Sequence, residues 1–294
     1  MISKWSVHGW LSLGLTLVPL FAGALAGLGC STIPPLPPKA AELNRAGAEA
    51  LAASDLTTAE ARLALALEYS PRFTEAWVNL GYVELRRGNL ELARKDFVKA
   101  RELNPDLPAP HHALGYLADL RDIGREAEAN YRQALKVDPG FLPSRENLGR
   151  RLFRRGAFED AREQYLRLSE VEPNALRGHL GLAECLLRLG DDGAADDVIR
   201  RARARFGDTP ELRMLVGRQL LRRGAYAEAE TVFAPLTDDG DRSRAAAAWA
   251  WASVARLAAG RRNDAALAAR EALAIHAEND VARDVLRQLD AATR

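Results

Sequence analysis

The chain has 294 residues, with 41 Lys and Arg against 40 Asp and Glu, and only two cysteines, Cys30 and Cys185. That charge balance argues against a general nucleic-acid binder, which needs a strongly basic face. The two cysteines form neither a CxxC pair nor a zinc-ligand spacing.

The first 39 residues stand apart from the rest. No Lys, Arg, Asp or Glu occurs from Trp5 to Pro38, Lys4 supplies a positive start, and Leu11 to Leu28 is an apolar run closed by Gly27-Leu28-Gly29-Cys30-Ser31. A basic start, an apolar run and small residues predict a secretory signal peptide over residues 1–29. A cysteine directly after the small residues resembles the bacterial lipoprotein signal, which implies that Cys30 becomes the lipidated first residue. The place three before the cysteine holds Gly27 rather than the leucine-like residue of that family. Ser31, rather than aspartate, resembles the outer-membrane form, so the expected location is the bacterial cell envelope, as an outer-membrane lipoprotein facing the periplasm. An uncleaved anchor, or simple cleavage after Ala26, is the alternative, because a run of about 18 apolar residues just suffices to span a bilayer. Residues 30–39 then form a Pro-rich tether, in which Ile33-Pro34-Pro35-Leu36-Pro37-Pro38 is a stiff polyproline II spacer.

From Ala40 the chain repeats. Pro71, Pro105, Pro139 and Pro173 fall 34 residues apart. Alanines precede the first three prolines at two fixed offsets: Ala59 and Ala66, Ala93 and Ala100, Ala127 and Ala134. Ala161 and Leu168 take those places before Pro173. Gly47, Gly81, Gly115 and Gly149 lie 24 residues before each proline, and Leu63, Phe97, Tyr131 and Tyr165 lie eight before. Small residues at fixed places let two helices approach closely, the large one fills the gap, and the proline is expected to open the next helix. Gly88, Gly156, Gly190, Gly224 and Gly260 mark where each first helix turns into the second, whereas Asp122-Ile123-Gly124 predicts a differently bent third elbow. A fixed period of this length means stacked copies of one unit.

Trp77-Val78-Asn79-Leu80-Gly81-Tyr82, followed by Ala93, Phe97, Ala100 and Pro105, resembles the tetratricopeptide repeat family. The resemblance implies an all-α fold, a right-handed superhelical α-solenoid of about seven helix-turn-helix units. These begin near residues 40, 74, 108, 142, 176, 210 and 246 and fill 40–279. A capping helix over 280–294 shields the last unit. Cys185 falls in a first helix and reads as a buried structural thiol.

In that family the first helices line a concave face that holds a partner segment. The face is expected to present Glu75, Val78, Asn79, Tyr82, His112, Tyr116, Glu146, Asn147 and Arg150, continued by Arg177, Glu184, Met214 and Arg218. The family's carboxylate-gripping lysines are absent. A basic edge of Arg86, Arg87, Arg154, Arg155, Arg222 and Arg223, with Arg121 and Arg188 in adjacent places, precedes the turn glycines. It reads either as a docking strip or as helix C-terminal chemistry, where cations favour the negative end of the dipole. No catalytic, metal-binding or phosphate-binding motif is present, so no enzyme activity and no cofactor are expected. The expected function is a membrane-attached scaffold for a protein partner. The design is similar to the lipoproteins that help a secretin assemble in type IV pilus biogenesis, and adaptors of cell-wall enzymes or motility machinery share it.

Overall fold

A computed structural model describes residues 35–291, and every regular element in them is helical. The first helices are α1 (Pro38–Ala52), α2 (Leu56–Tyr69), α3 (Thr74–Arg86), α4 (Leu90–Leu103), α5 (Pro108–Leu120), α6 (Gly124–Val137) and α7 (Leu142–Arg155). They are followed by α8 (Phe158–Val171), α9 (Leu176–Leu189), α10 (Asp192–Phe206), α11 (Pro210–Arg222) and α12 (Tyr226–Phe233), the last running into a 3-10 turn, Ala234–Leu236. The series ends with α13 (Arg242–Ala258), α14 (Arg262–Ile275) and α15 (Asp280–Ala291). Two compact units divide inside α7, one ending at Arg151 and the other starting at Leu152. Within each, successive helices pack as hairpins against their neighbours. The expected signal peptide, residues 1–29, and the expected lipidation site Cys30 lie outside the described residues.

Local chemistry sets the helix ends. Asp55, Asp191, Thr209 and Asp241 each accept a backbone N–H from the first turn of the helix they precede. Gly88, Gly156, Gly190, Gly224 and Gly260 all have φ between 77° and 86°, the left-handed region that closes a first helix. Ser54 (φ 62°) and Asp122 (φ 54°) occupy the same place in their hairpins. The third elbow therefore keeps the common turn, with Asp122 in place of glycine. Aspartate tolerates this conformation because its short side chain bonds locally, and Arg151 Nη1 donates to Asp122 Oδ1 at 3.2 Å.

The prolines do not open helices as expected. Pro71, Pro105, Pro139 and Pro173 sit in the turns, each three residues ahead of the helix start. Their carbonyls have a role instead. Trp77 Nε1 donates to Pro71 O at 2.9 Å, His111 Nε2 lies 2.9 Å from Pro105 O, Arg145 Nη2 donates to Pro139 O, and His179 Nε2 lies 3.1 Å from Pro173 O. The donor is always six residues after the proline, so each junction is fixed by one side-chain bond to the chain it has just left.

The core follows the repeat. Ala59, Ala66, Ala93, Ala100, Ala127, Ala134 and Ala161 are fully buried, as are Leu63, Phe97 and Tyr131. Leu63, Phe97 and Tyr131 each lie on a glycine of the first helix of their own hairpin, whereas Tyr165 lies on Gly181 of the following helix, α9. A Cβ on Gly81 would come within 2.4 Å of Phe97, one on Gly115 within 2.8 Å of Tyr131, and one on Gly217 within 2.4 Å of Phe233. Tyr131 has least room to yield, because its hydroxyl donates to Asp119 Oδ2 at 3.0 Å. Gly115→Ala is therefore expected to destabilise by about 1–3 kcal/mol in urea unfolding. Tyr131→Leu made in the same chain should recover most of that penalty, a coupling a double-mutant cycle would measure.

Candidate partner-binding face

The expected face of the first unit is built on α1, α3, α5 and α7. Asn79 Nδ2 donates to Asn44 Oδ1 at 2.9 Å, a bond between two first helices 35 positions apart. Tyr82 stands edge-on to Phe97 at 5.1 Å. Burial, with the neighbouring Tyr116, pushes the Tyr82 hydroxyl well above the usual tyrosine range. Asn79, Tyr82 and Tyr116 are half-buried, so each keeps surface for a partner. Arg150 is exposed and donates to Asn147 Oδ1 at 2.6 Å within α7.

Two of the expected residues are used internally. Val78 is buried. His112 packs edge-on to Phe141 at 5.5 Å, lies 5.7 Å from Tyr131, and places Nδ1 3.1 Å from the buried Ser144 hydroxyl. Burial, helped by Arg150, pushes its pKa down to about 4. It is a neutral packing group near neutral pH, whose ring a helix-face assignment counted as free.

In the second unit the corresponding side chains close on one another. Arg218 donates to both carboxyl oxygens of Glu184, at 2.7 and 2.5 Å, and its guanidinium lies 4.9 Å from the centre of the Trp251 ring. Residues proposed for a groove thus form a ladder across three successive first helices. Bidentate pairing and a cation over an indole are both favourable for arginine. Cys185, next to Glu184, is fully buried, and burial pushes its thiol up to about 12. It is an inert packing group.

The arginines of the basic edge are occupied. Arg86 donates to Ser54 Oγ at 3.0 Å, Arg222 pairs with Asp192 at 3.2 Å, and Arg223 pairs with Asp196. Arg188 meets Glu184 at 3.8 Å and lies over Phe153 and Phe158. Arg154 is half-buried and Arg155 exposed in the last turn of α7. Arg87 and Arg121 of the same row follow this rule, Arg87 with Glu60 at 2.7 Å and Arg121 with Glu91 at 3.1 Å. The pattern joins the C-terminal turn of a first helix to an acid near the start of the preceding second helix. Each charge then also suits the dipole of its own helix end. The Arg87 hydrogen bond holds Glu60, and the Arg223 hydrogen bond holds Asp196, below the usual carboxylate range.

One hairpin carries buried acid. Glu84 of α3 and Asp96 of α4 are both buried, where carboxylates are rare unless paired. Glu84 accepts from Asn89 Nδ2 at 2.7 Å and from Arg87 Nη1 at 3.4 Å. Burial first, and then the charge of Glu84, push Asp96 up to about 6. No helix among the described residues is long and apolar enough to cross a membrane, and no group of three His, Cys, Asp or Glu there could hold a metal.

Comparison with known proteins agrees with the helical repeat. The family model described as tetratricopeptide repeat matches residues 44–108 and 146–210. Superkiller complex protein 3 of Mus musculus is 35% identical over 107 residues, 36% of this chain but only 7% of that protein's length. Type IV pilus assembly protein PilF of Pseudomonas aeruginosa is 30% identical over 96 residues, 33% of this chain and 38% of that protein. The crystal structure of a tetratricopeptide repeat protein from Parabacteroides merdae superposes with a TM-score of 0.65 at 17% identity, covering 85% of this chain and 98% of that one. At that identity the likeness is one of fold.

The buried acid makes stability depend on pH. A folded-state pKa of about 6, against 3.8 as the ordinary value, means that protonating Asp96 favours the fold. Its contribution is complete below pH 3.8 and is lost as pH rises through about 6. Asp96→Asn is thus expected to raise stability at pH 7.5 by about 1–3 kcal/mol, a gain that shrinks steadily as pH falls through 6 toward 4.5. Urea unfolding of both chains at pH 4.5, 6 and 7.5 reads the difference directly.

Proposed function

Since this chain carries tetratricopeptide repeats, we propose that it is a protein–protein interaction scaffold of the bacterial envelope, tethered to a membrane through Cys30, whose first unit grips a partner segment. The observation that carries this reading is the row of Asn79, Tyr82, Tyr116, Asn147 and Arg150 on the first helices α3, α5 and α7. Half-buried tyrosines offer large contact area at little entropic cost, and asparagines can bond the backbone of an extended or helical segment. In the second unit the matching places are satisfied by Glu184, Arg218 and Trp251, which leaves the first unit as the better receiving surface.

The tether reading rests on Lys4, the apolar run from Leu11 to Leu28, and Cys30. Similarity over 96 residues to a type IV pilus assembly protein supports a finer version, in which the scaffold assists assembly of an outer-membrane secretin. A lipid-anchored array with no catalytic constellation would act by holding and delivering its partner, with affinity set by a few buried anchors on the face.

Two experiments test this. Metabolic labelling with a palmitate analogue should mark the chain, and Cys30→Ala should abolish the label; an unlabelled wild-type chain overturns the lipid tether. In cells, a photo-crosslinker at Arg150 should capture a secretin subunit. Tyr116→Ala, or Asn79→Ala with Asn147→Ala, should cut that capture about tenfold, equivalent to ~1.4 kcal/mol. Undiminished capture in both variants overturns the groove.

A further inference from the structure

An open recess of about 510 Å³ lies on the α3–α4 hairpin, lined by Trp77 of α3 and by Arg94, Lys95, Asp96, Lys99 and Glu102 of α4. Asp96 is only 8% exposed, and neither of its carboxyl oxygens takes a hydrogen bond or ion pair among the described residues. The carboxyl oxygens still reach solvent through the recess, so a largely enclosed acid with no protein donor keeps its acceptor sites open to a cationic ligand. Glu84, which faces it from α3, is already engaged with Asn89 and Arg87, and the Lys95 charge only partly offsets Glu84. Trp77 is held in place by its bond to Pro71 O, so the indole forms a fixed wall.

The rim selects further. Arg94, Lys95 and Lys99 are exposed and make no ion pair among the described residues, unlike the arginines of the helix ends. Glu91, also at the recess, is held by Arg121. Only Glu102 remains as a second free acid. A cation entering toward Asp96 therefore passes three positive charges and needs its own anionic neighbours to be tolerated. An anion alone would meet the Asp96 carboxyl at the inner end.

We propose that this recess docks a basic side chain of a partner protein that is flanked by acidic residues, with its charged head on Asp96 beside the Trp77 indole and its acidic neighbours on Lys95 and Lys99. A cation over an aromatic face and beside a desolvated carboxylate gains from both. The proposal rests on the scaffold reading above, and it adds a second contact surface with a defined charge pattern.

The test needs no natural partner. The full chain, labelled with 5-fluorotryptophan, gives five fluorine signals, and Trp77→Phe assigns the one that matters. Acetyl-Glu-Lys-Glu-amide should shift that signal saturably, and acetyl-Gln-Lys-Gln-amide should bind several-fold more weakly. Asp96→Asn should weaken binding at least tenfold while remaining folded, as its expected gain in stability would show. Binding at pH 5 should be about tenfold weaker than at pH 7, as Asp96 takes up a proton. Equal binding by Asp96→Asn, no shift in the wild-type chain, or a response to O-phosphoethanolamine in place of the tripeptide overturns the proposal, the last pointing to a lipid headgroup. The crosslink from Arg150 reports a different face, so either reading can fail alone.

Discussion

In four of the hairpins a large side chain on the second helix lies against bare glycine backbone on the first, and the hairpin closes only as far as that contact allows. Leu63, Phe97, Tyr131 and Phe233 do this on Gly47, Gly81, Gly115 and Gly217. Interiors packed to crystalline density have no slack to absorb a methyl group at such a point. The fully buried alanines flanking each large residue extend the same close approach along the helix pair. Hairpin spacing is in this way set by sterics, and the hydrophobic area that the aromatic rings remove from water supplies the driving force.

Electrostatics works between hairpins. Glu60 with Arg87, Glu91 with Arg121, and Asp196 with Arg223 each join the acidic start of one helix to the basic end of another. Exposed pairs of this kind are individually worth little. Repeated at several junctions, they favour one register between neighbouring hairpins.

Much of this was legible in the sequence, and the reasons for the rest are physical. The 34-residue period, the alanines and the turn glycines are steric requirements, and steric requirements restrict residue type strongly enough to be read. Asp122 escaped that reading because αL backbone is compatible with more than one residue. His112 was placed correctly on its helix, but its neighbours Phe141 and Ser144 lie some 30 positions away, and periodicity on one helix carries no information about them. The Glu184–Arg218–Trp251 ladder and the buried Glu84–Asp96 hairpin were missed for the same reason: each depends on pairing across helices, where charge alone does not say whether a residue faces water or a partner.

The bonds to the four proline carbonyls carry a consequence of a different kind. An indole, two imidazoles and a guanidinium perform the same task six residues after Pro71, Pro105, Pro139 and Pro173. A carbonyl only accepts, so His111 and His179 must both hold their hydrogen on Nε2, which fixes the tautomer of each ring. A comparison of repeats that scores identity at this position would see variation where these four junctions keep one feature: an N–H aimed backwards at the turn.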